Sequence, residues 1–544
     1  MERNKTMETN ISYSVSGLAA TRSNRLFLVV LTAIAVVALC ATSCRPESDN
    51  LLSYGYNDAQ VFDNAESSFE QQFISFWTAM NCNYGIWDYE DEMGVNWDAI
   101  YKSYLPKFKA LDEQDEVTDE EVANMYGEII NSLHDGHLYI QIKNIRTGHF
   151  LYYMPGQVRN MRRDDYAQAS GFQPNLSAYS SQTGNIHLLS SSSVNTSPIS
   201  AIVQILNTVD HAVVGKMDEY EQKSTLTESE RFIYDYCTAF KADCDVLETL
   251  TSNSRIISYY NDMCSKYEAM CQFLQVEMPQ VDDQLASQAL TVESGLFSPG
   301  IPYLRISGFK LSAYLNDNYF NYFADTANTN SKAFQVAVKS VWHEWFDKIQ
   351  ELKSTQSLRG VIIDVRSNGG GFVNDYQYVL GALMPSGGFT SHQMRTKNGT
   401  GRYDFSPLMD FRFPTYPRDH QTITEPIVVL ANCKSVSMAE MTAWGAKKLS
   451  NGRVIGMRTW GGLSALSTDP SSYSETYASA FGVEDKTAFY AYIPKFIAIF
   501  PEVGVQEGVG IIPDIEVPFD QDLYEATGRD SQLERAIEYI LTGN

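Results

Sequence analysis

At 544 residues, with 44% hydrophobic and 12% aromatic side chains, the chain is too long for one ordinary domain and too rich in core formers for disorder. Its 41 Lys and Arg face 66 Asp and Glu, a formal charge of −25. That balance argues against nucleic acid and anionic lipid surfaces as partners, because both need a basic footprint.

The first residues read as an address rather than as fold. Arg22 and Arg25 precede an apolar run from Leu26 to Cys40, the length of a signal-peptide core and short for a spanning helix. The run closes on Leu39-Cys40-Ala41-Thr42-Ser43-Cys44, which resembles a bacterial lipobox. The resemblance implies that residues 1–43 are removed and that Cys44 becomes the lipidated first residue. Residues 44–65 then tether an exported, membrane-anchored lipoprotein of the bacterial cell envelope, on its periplasmic or surface side.

Residues 66–145 form an N-terminal subdomain of helical pattern. Phe69, Phe73, Phe76 and Trp77 mark one helix face. Thr118-Asp119-Glu120-Glu121 opens a capped helix carrying Met125, Ile129, Ile130 and Leu133. After Leu133-His134-Asp135-Gly136-His137 the period changes to strand alternation, so His137 sits on a turn entering a strand. Residues 146–295 read as an insertion, irregular or β at first and helical over about 198–285.

Export permits disulfides. Cys237 and Cys244 are seven apart, as are Cys264 and Cys271, so each pair shares a helix face. The two pairs lie symmetrically about residue 254, within the turn-forming Thr251-Ser252-Asn253-Ser254. This predicts a helical hairpin stapled by Cys237–Cys271 and Cys244–Cys264; the bland alternative is four buried thiols. Cys82 and Cys433 have no evident partner.

From residue 296 to 544 short apolar strands alternate with helices. Gly360 to Val365, Pro426 to Leu430 and Arg453 to Gly456 read as buried strands, and Ala333 to Leu352 and Ser435 to Lys448 as helices. Another helix is expected after Gly371, and a closing one over 531–541. Strand–glycine turn–helix units in succession argue for an α/β architecture with sites at strand ends.

Three segments carry candidate chemistry. Asp364-Val365-Arg366-Ser367-Asn368-Gly369-Gly370-Gly371 follows a buried strand, and its glycines let backbone N–H groups approach a ligand. It lacks the Gly-Lys-Ser/Thr ending of a P-loop, which disfavours phosphate. Ser437 begins a helix, where free N–H groups stabilise negative charge. The spacing of Ser437 and Glu440 is also that of a helix capping box, the structural alternative. His137 alone is a turn histidine. No His, Cys and carboxylate set has a recognised metal spacing, and no cofactor is implied.

Together these segments resemble the tail-specific (C-terminal processing) serine peptidases. The resemblance rests on Asp364-x-Arg366-x-Asn368-x-Gly370-Gly371, on Ser437-x-Ala439-Glu440, and on Gly510-x-x-Pro513-Asp514-Ile515-Glu516-Val517. It covers roughly 66–145 and 296–520, and it implies a crotonase/ClpP-like αβ spiral peptidase core with polypeptide substrates. In the bacterial branch a lysine follows the serine helix in a Phe-Gly-Lys-Gly turn. Here Gly462 stands at that place, in Gly456-Met457-Arg458-Thr459-Trp460-Gly461-Gly462. The sequence is similar instead to the tricorn branch, which uses a histidine from the segment before the core. By that resemblance Ser437 is the nucleophile, His137 the base and Glu507, six before Pro513, the orienting carboxylate. Met438 with Gly370 or Gly371 would supply the oxyanion hole. Ser435 is the rival nucleophile. The competing reading is an inactive lipoprotein that binds peptides or apolar ligands on the same fold.

Overall fold

The computed structural model describes residues 62–169, 172–181, 186–282, 284–466 and 480–544. The expected leader, Cys44 and most of the tether lie outside these residues. No helix among the described residues is long and apolar enough to cross a membrane.

Four helices come first: α1 (Phe69–Asn83), α2 (Trp87–Glu92), α3 (Trp97–Asp112) and α4 (Asp119–Ile130). Their aromatic faces close on one another, Phe73 stacking on Phe108 at 4.4 Å and Phe76 meeting Tyr126 edge-on at 5.5 Å. Thr118 and Glu121 form the capping box that opens α4. Beyond it the chain enters β1 (Tyr139–Lys143), which lies in a four-stranded antiparallel sheet beside β2 (Phe150–Tyr153) and a strand at Phe489–Tyr492. Helix α5 (Pro155–Met161) follows.

The main sheet has seven strands. In chain order they are β3 (Leu188–Asn195), β4 (Thr291–Phe297), β5 (Ile301–Ile306), β6 (Val361–Asp364), then strands at Ile427–Ala431, Gly452–Gly456 and Ile515–Glu516. With β7 (Thr390–Thr396) and β8 (Met409–Arg412) set in a separate three-stranded sheet, these last three are β9, β10 and β14; β11 (Ala480–Phe481), β12 (Phe489–Tyr492) and β13 (Phe496–Ile499) lie between them in sequence. Their spatial order is β14-β10-β9-β6-β5-β4-β3, parallel from β14 to β5 and antiparallel over the last three.

Both faces are covered, which is why the parallel strands read as unbroken apolar runs. Val361, Ile363 and Val429 face a core shared with Trp342, Trp345 and Ile349 of α10 (Thr329–Ser354). Ile362, Val428 and Leu430 face the other way, onto Leu533, Ile537 and Ile540 of the closing helix.

Two expectations change. The segment after Gly371 forms two short 3₁₀ turns, Val373–Tyr378 and Leu380–Leu383, instead of an α-helix. Strand β3 pairs with β4 along its length, with one irregularity between Leu188 and Ser190, and so belongs to the main sheet rather than to an insertion. The helical unit lies between these two strands. It comprises α6 (Pro198–Glu221), α7 (Glu228–Glu248), α8 (Asn253–Lys266) and α9 (Glu268–Leu274), closed on a core of its own.

The hairpin of α7 and α8 forms as the spacing predicted, but the cysteines are thiols rather than bridges. The register assumed one unbroken helix through Cys264 and Cys271. Instead α8 ends at Lys266, Tyr267 turns its hydroxyl onto Asp243, and Cys271 sits on α9. Cys271 is the charge neighbour of Cys237, whereas Cys244 faces Asp210 of α6. Burial pushes the Cys244 and Cys264 thiols up to about 11, which makes them poor nucleophiles.

Candidate active site

Loops leaving the C-terminal ends of β6, β9 and β10 meet at one crest, the usual place for a site in such a sheet. After β6, Arg366 is wholly buried and binds Asp364 at 2.5 Å and Asp530 at 2.7 Å. Asn368 holds three strands' ends together. Its amide donates to Ile306 O at 2.9 Å, its Oδ1 accepts from Gly370 N at 2.8 Å, and its carbonyl accepts from Val436 N at 2.9 Å. The Asp-x-Arg-x-Asn pattern therefore builds the loop and does no chemistry itself.

After β9 the chain turns sharply into α11 (Met438–Lys448) with Ser437 as its N-terminal cap. Ser437 has φ +58° and ψ −117°, far from the extended backbone of an ordinary cap and strained for a residue bearing a Cβ. Gly370 lies against it: a methyl group built on Gly370 would come within 2.6 Å of Ser437 Cβ and 3.1 Å of its Oγ. Glu440 Oε2 accepts from Ser437 N at 3.0 Å, the reciprocal half of the box that the spacing suggested. Ser435 is different. It is buried, donates to Val365 O at 2.7 Å and accepts from Asn432 N at 3.0 Å, so its hydroxyl is spent on the turn.

After β10 the turn 457–463 lies between Ser437 and the segment carrying His137. Gly462 O accepts from Ser437 N at 3.0 Å. A methyl group on Gly462 would stand 3.4 Å from both Cε1 and Nδ1 of His137. Two residues 300 positions apart in sequence, Ser437 through its main-chain N–H and His137 through its ring, thus meet at one glycine. Closeness here depends on missing side chains: a Cβ on Gly136 would sit 2.1 Å from Gly461 O.

Glu507, 1% exposed, anchors the far side. Its Oε1 accepts from Leu463 N at 2.9 Å and Ser464 N at 2.5 Å, and its Oε2 from Gly136 N at 2.9 Å. It therefore holds the main chain beside His137. Its carboxylate, the His137 ring and the Asp135 carboxyl each place one atom within 4.8 Å of the others. Among the described residues that trio is also the one cluster near enough to share a cation. Both Glu507 oxygens are committed instead to backbone N–H groups, three in all, and on Asp135 one oxygen, Oδ1, takes those of His137 and Leu138.

Burial holds His137 below its ordinary range, with Glu507 pulling it partly back. Burial also pushes Glu440 up to about 7, against hydrogen bonds from Thr459, Gly461 and Gly462. His134 stands apart: its Nδ1 meets the buried Glu90 at 2.8 Å.

Of the expected oxyanion donors, the Gly370 N–H is taken by Asn368. Those of Gly371 and Met438 carry no hydrogen bond among the described residues. Sequence reading missed the clamp on the 457–463 turn. Arg163 donates to Thr459 O at 2.8 Å and Arg458 O at 2.6 Å, and Asn160 to Trp460 O at 3.0 Å. Trp460 in turn donates to Gly136 O at 3.0 Å. Arg163 and Asn160 lie in the segment read as insertion, with no local signal to single them out.

Residues 300–517 match the family model "Peptidase family S41". The chain is 29% identical over 187 residues to the tricorn protease of Thermoplasma volcanium, covering 34% of this chain and 15% of that protein. It is 28% identical over 189 residues to the carboxy-terminal-processing protease of Bartonella bacilliformis, covering 34% of this chain and 38% of that one. The chain thus spans well under two thirds of the length of either relative. Among solved structures, mature CPAF complexed with lactacystin aligns over 88% of this chain and all of its own, at 10% identity and a TM-score of 0.43.

Proposed function

We propose, from the premise that residues 300–517 are a peptidase family S41 domain, that this chain is a serine peptidase acting on polypeptides through Ser437, His137 and Glu507. The observation that carries the reading is Gly462, whose carbonyl takes the Ser437 N–H while its bare Cα faces the His137 ring. At this place the lysine-dependent enzymes would need a side chain; here the space belongs to an imidazole.

A serine hydroxyl becomes a nucleophile when a base takes its proton. His137, kept neutral by burial, takes that proton as Oγ bonds to the scissile carbonyl carbon. The tetrahedral oxyanion accepts from the N–H of Met438 and of Gly371. Losing one such donor costs about 2.7–4 kcal/mol of transition-state stabilisation. Collapse breaks the C–N bond, His137 passes its proton to the leaving amine, and an ester on Ser437 remains. Water then repeats the cycle and frees the serine. Glu507 fixes the Gly136 main chain and offsets the imidazolium charge.

A fluorophosphonate probe on the purified chain tests this. Labelling is expected in the parent and in Ser435→Ala and absent in Ser437→Ala; an unlabelled parent overturns the reading. We infer also that the chain is exported and held to the membrane through Cys44. Incorporation of an alkyne fatty acid that Cys44→Ser leaves intact would overturn that inference.

A further inference from the structure

Asp135 has no place in the chemistry above, yet it is fully buried two residues before His137. Its two oxygens differ. Oδ1 accepts from His137 N at 2.8 Å and Leu138 N at 3.1 Å, which fixes the carboxyl plane. Oδ2 is buried with no partner, and so is Nδ1 of His137. The Asp135 carboxyl, the Glu507 carboxylate and the ring keep one atom each within 4.8 Å of the others.

Two carboxyl groups so close, both out of water, do not both ionise. The donor count decides which one keeps the charge. Glu507 gathers three N–H groups over both of its oxygens. On Asp135 every donor sits on one oxygen, which leaves the other as the natural seat of a proton.

Resting on the peptidase reading for its functional meaning, we propose that Asp135 is a neutral carboxylic acid. With the proton on Oδ2, a single negative charge, that of Glu507, meets the ring, and Asp135 is a positioning residue for the base. Burial first, and then the Glu507 charge, push its proton affinity well above the usual carboxyl range, in agreement with the donor count. The other charged or titratable groups around this pocket are Glu90 with its partners His134 and Tyr84, Tyr89 donating to Glu507 O at 2.8 Å, Arg159 donating to His134 O, and Glu440 across from Glu507.

The test is an NMR titration of His137 in the full chain, its signal assigned with His137→Gln, beside the pH dependence of fluorophosphonate labelling. In Asp135→Asn, Oδ1 still accepts both N–H groups, so the amide must point where the O–H pointed. The His137 titration and the acid limb of labelling should stay where they are in the parent. A downward shift of about one unit or more would mean that an ionised carboxylate had been removed, and the proposal fails. Asp135→Ser keeps an acceptor for the turn but loses the second oxygen. The ring then faces a less shared Glu507 charge, and its titration should move upward. No movement would reduce Asp135 to a turn former and also overturn the proposal. Should the parent titrate as stated yet resist the probe, the peptidase reading falls while the acid pair stands.

Discussion

The strand-end site and the helical unit between β3 and β4 are held together on opposite terms. At the site the ties join segments far apart in sequence: Glu507 to Gly136, Trp460 to Gly136, Arg163 to Thr459, Asn368 to Val436. In the helical unit they are local. Asp243 accepts from Tyr259, Lys266 and Tyr267, and Asn261 is bonded to Val281 in both directions. The lesson is that positional precision at the site is a property of the whole sheet. The helical unit can be altered without moving a reacting atom.

Removing a reacting atom should have the largest effect. Ser437→Ala is expected to lower peptide hydrolysis by roughly 10³-fold or more, while the neighbouring Ser435→Ala keeps the probe reaction. Ser435→Ala instead loses about 1–3 kcal/mol of stability from a broken buried turn, measured by urea denaturation. Next comes geometry. Gly136→Ala drives a methyl group into Gly461 O and should cost about 100-fold in labelling rate by displacing His137. A parent-like rate would show that the 134–137 and 459–462 segments are not coupled as described.

Effects near tenfold follow. Arg163→Ala frees the carbonyls of Arg458 and Thr459 and should slow labelling about tenfold, with the binding of a reversible ligand less affected. Acidity acts through His137, whose depressed proton affinity places the acid limb of labelling below the ordinary value of about 6.5. The sign for stability is the same. The neutral ring contributes fully above about 6.5, and that contribution is lost as pH falls through the lower folded value. An acid limb above pH 7 would sink this account of the base. The smallest effect on the reaction belongs to the other region. Phe240→Ala, in the core of the helical unit, should cost about 3–5 kcal/mol of local stability and leave the labelling rate within about twofold.

What was legible in the sequence follows the same division. Buried parallel strands announce themselves as apolar runs, so β6, β9 and β10 were placed to within a residue or two, with a glycine turn or a serine at their ends. The Thr118 box was readable because a cap is a local hydrogen-bond pattern. The positive φ of Ser437, which separates a strained turn from an ordinary cap, has no signature in the spacing of serine and glutamate. Arg163 and Asn160 were invisible because their acceptors are backbone carbonyls almost 300 positions away. Of the cysteine pairing, Cys271 neighbours Cys237 although it sits on α9 rather than on α8, whereas Cys244 faces Asp210.

In the β3–β4 ladder Asn195 pairs with Thr291, so the polypeptide leaves the sheet and returns to it at neighbouring points, about 5 Å apart by the geometry of such pairs. The ninety-odd residues between are a detour whose entrance and exit already touch. A tight reverse turn of two to five residues would close the same gap, which makes this junction a natural port where segments of any length can be spliced in, exchanged or lost over evolutionary time while the hydrogen-bond ladder beneath goes on unbroken.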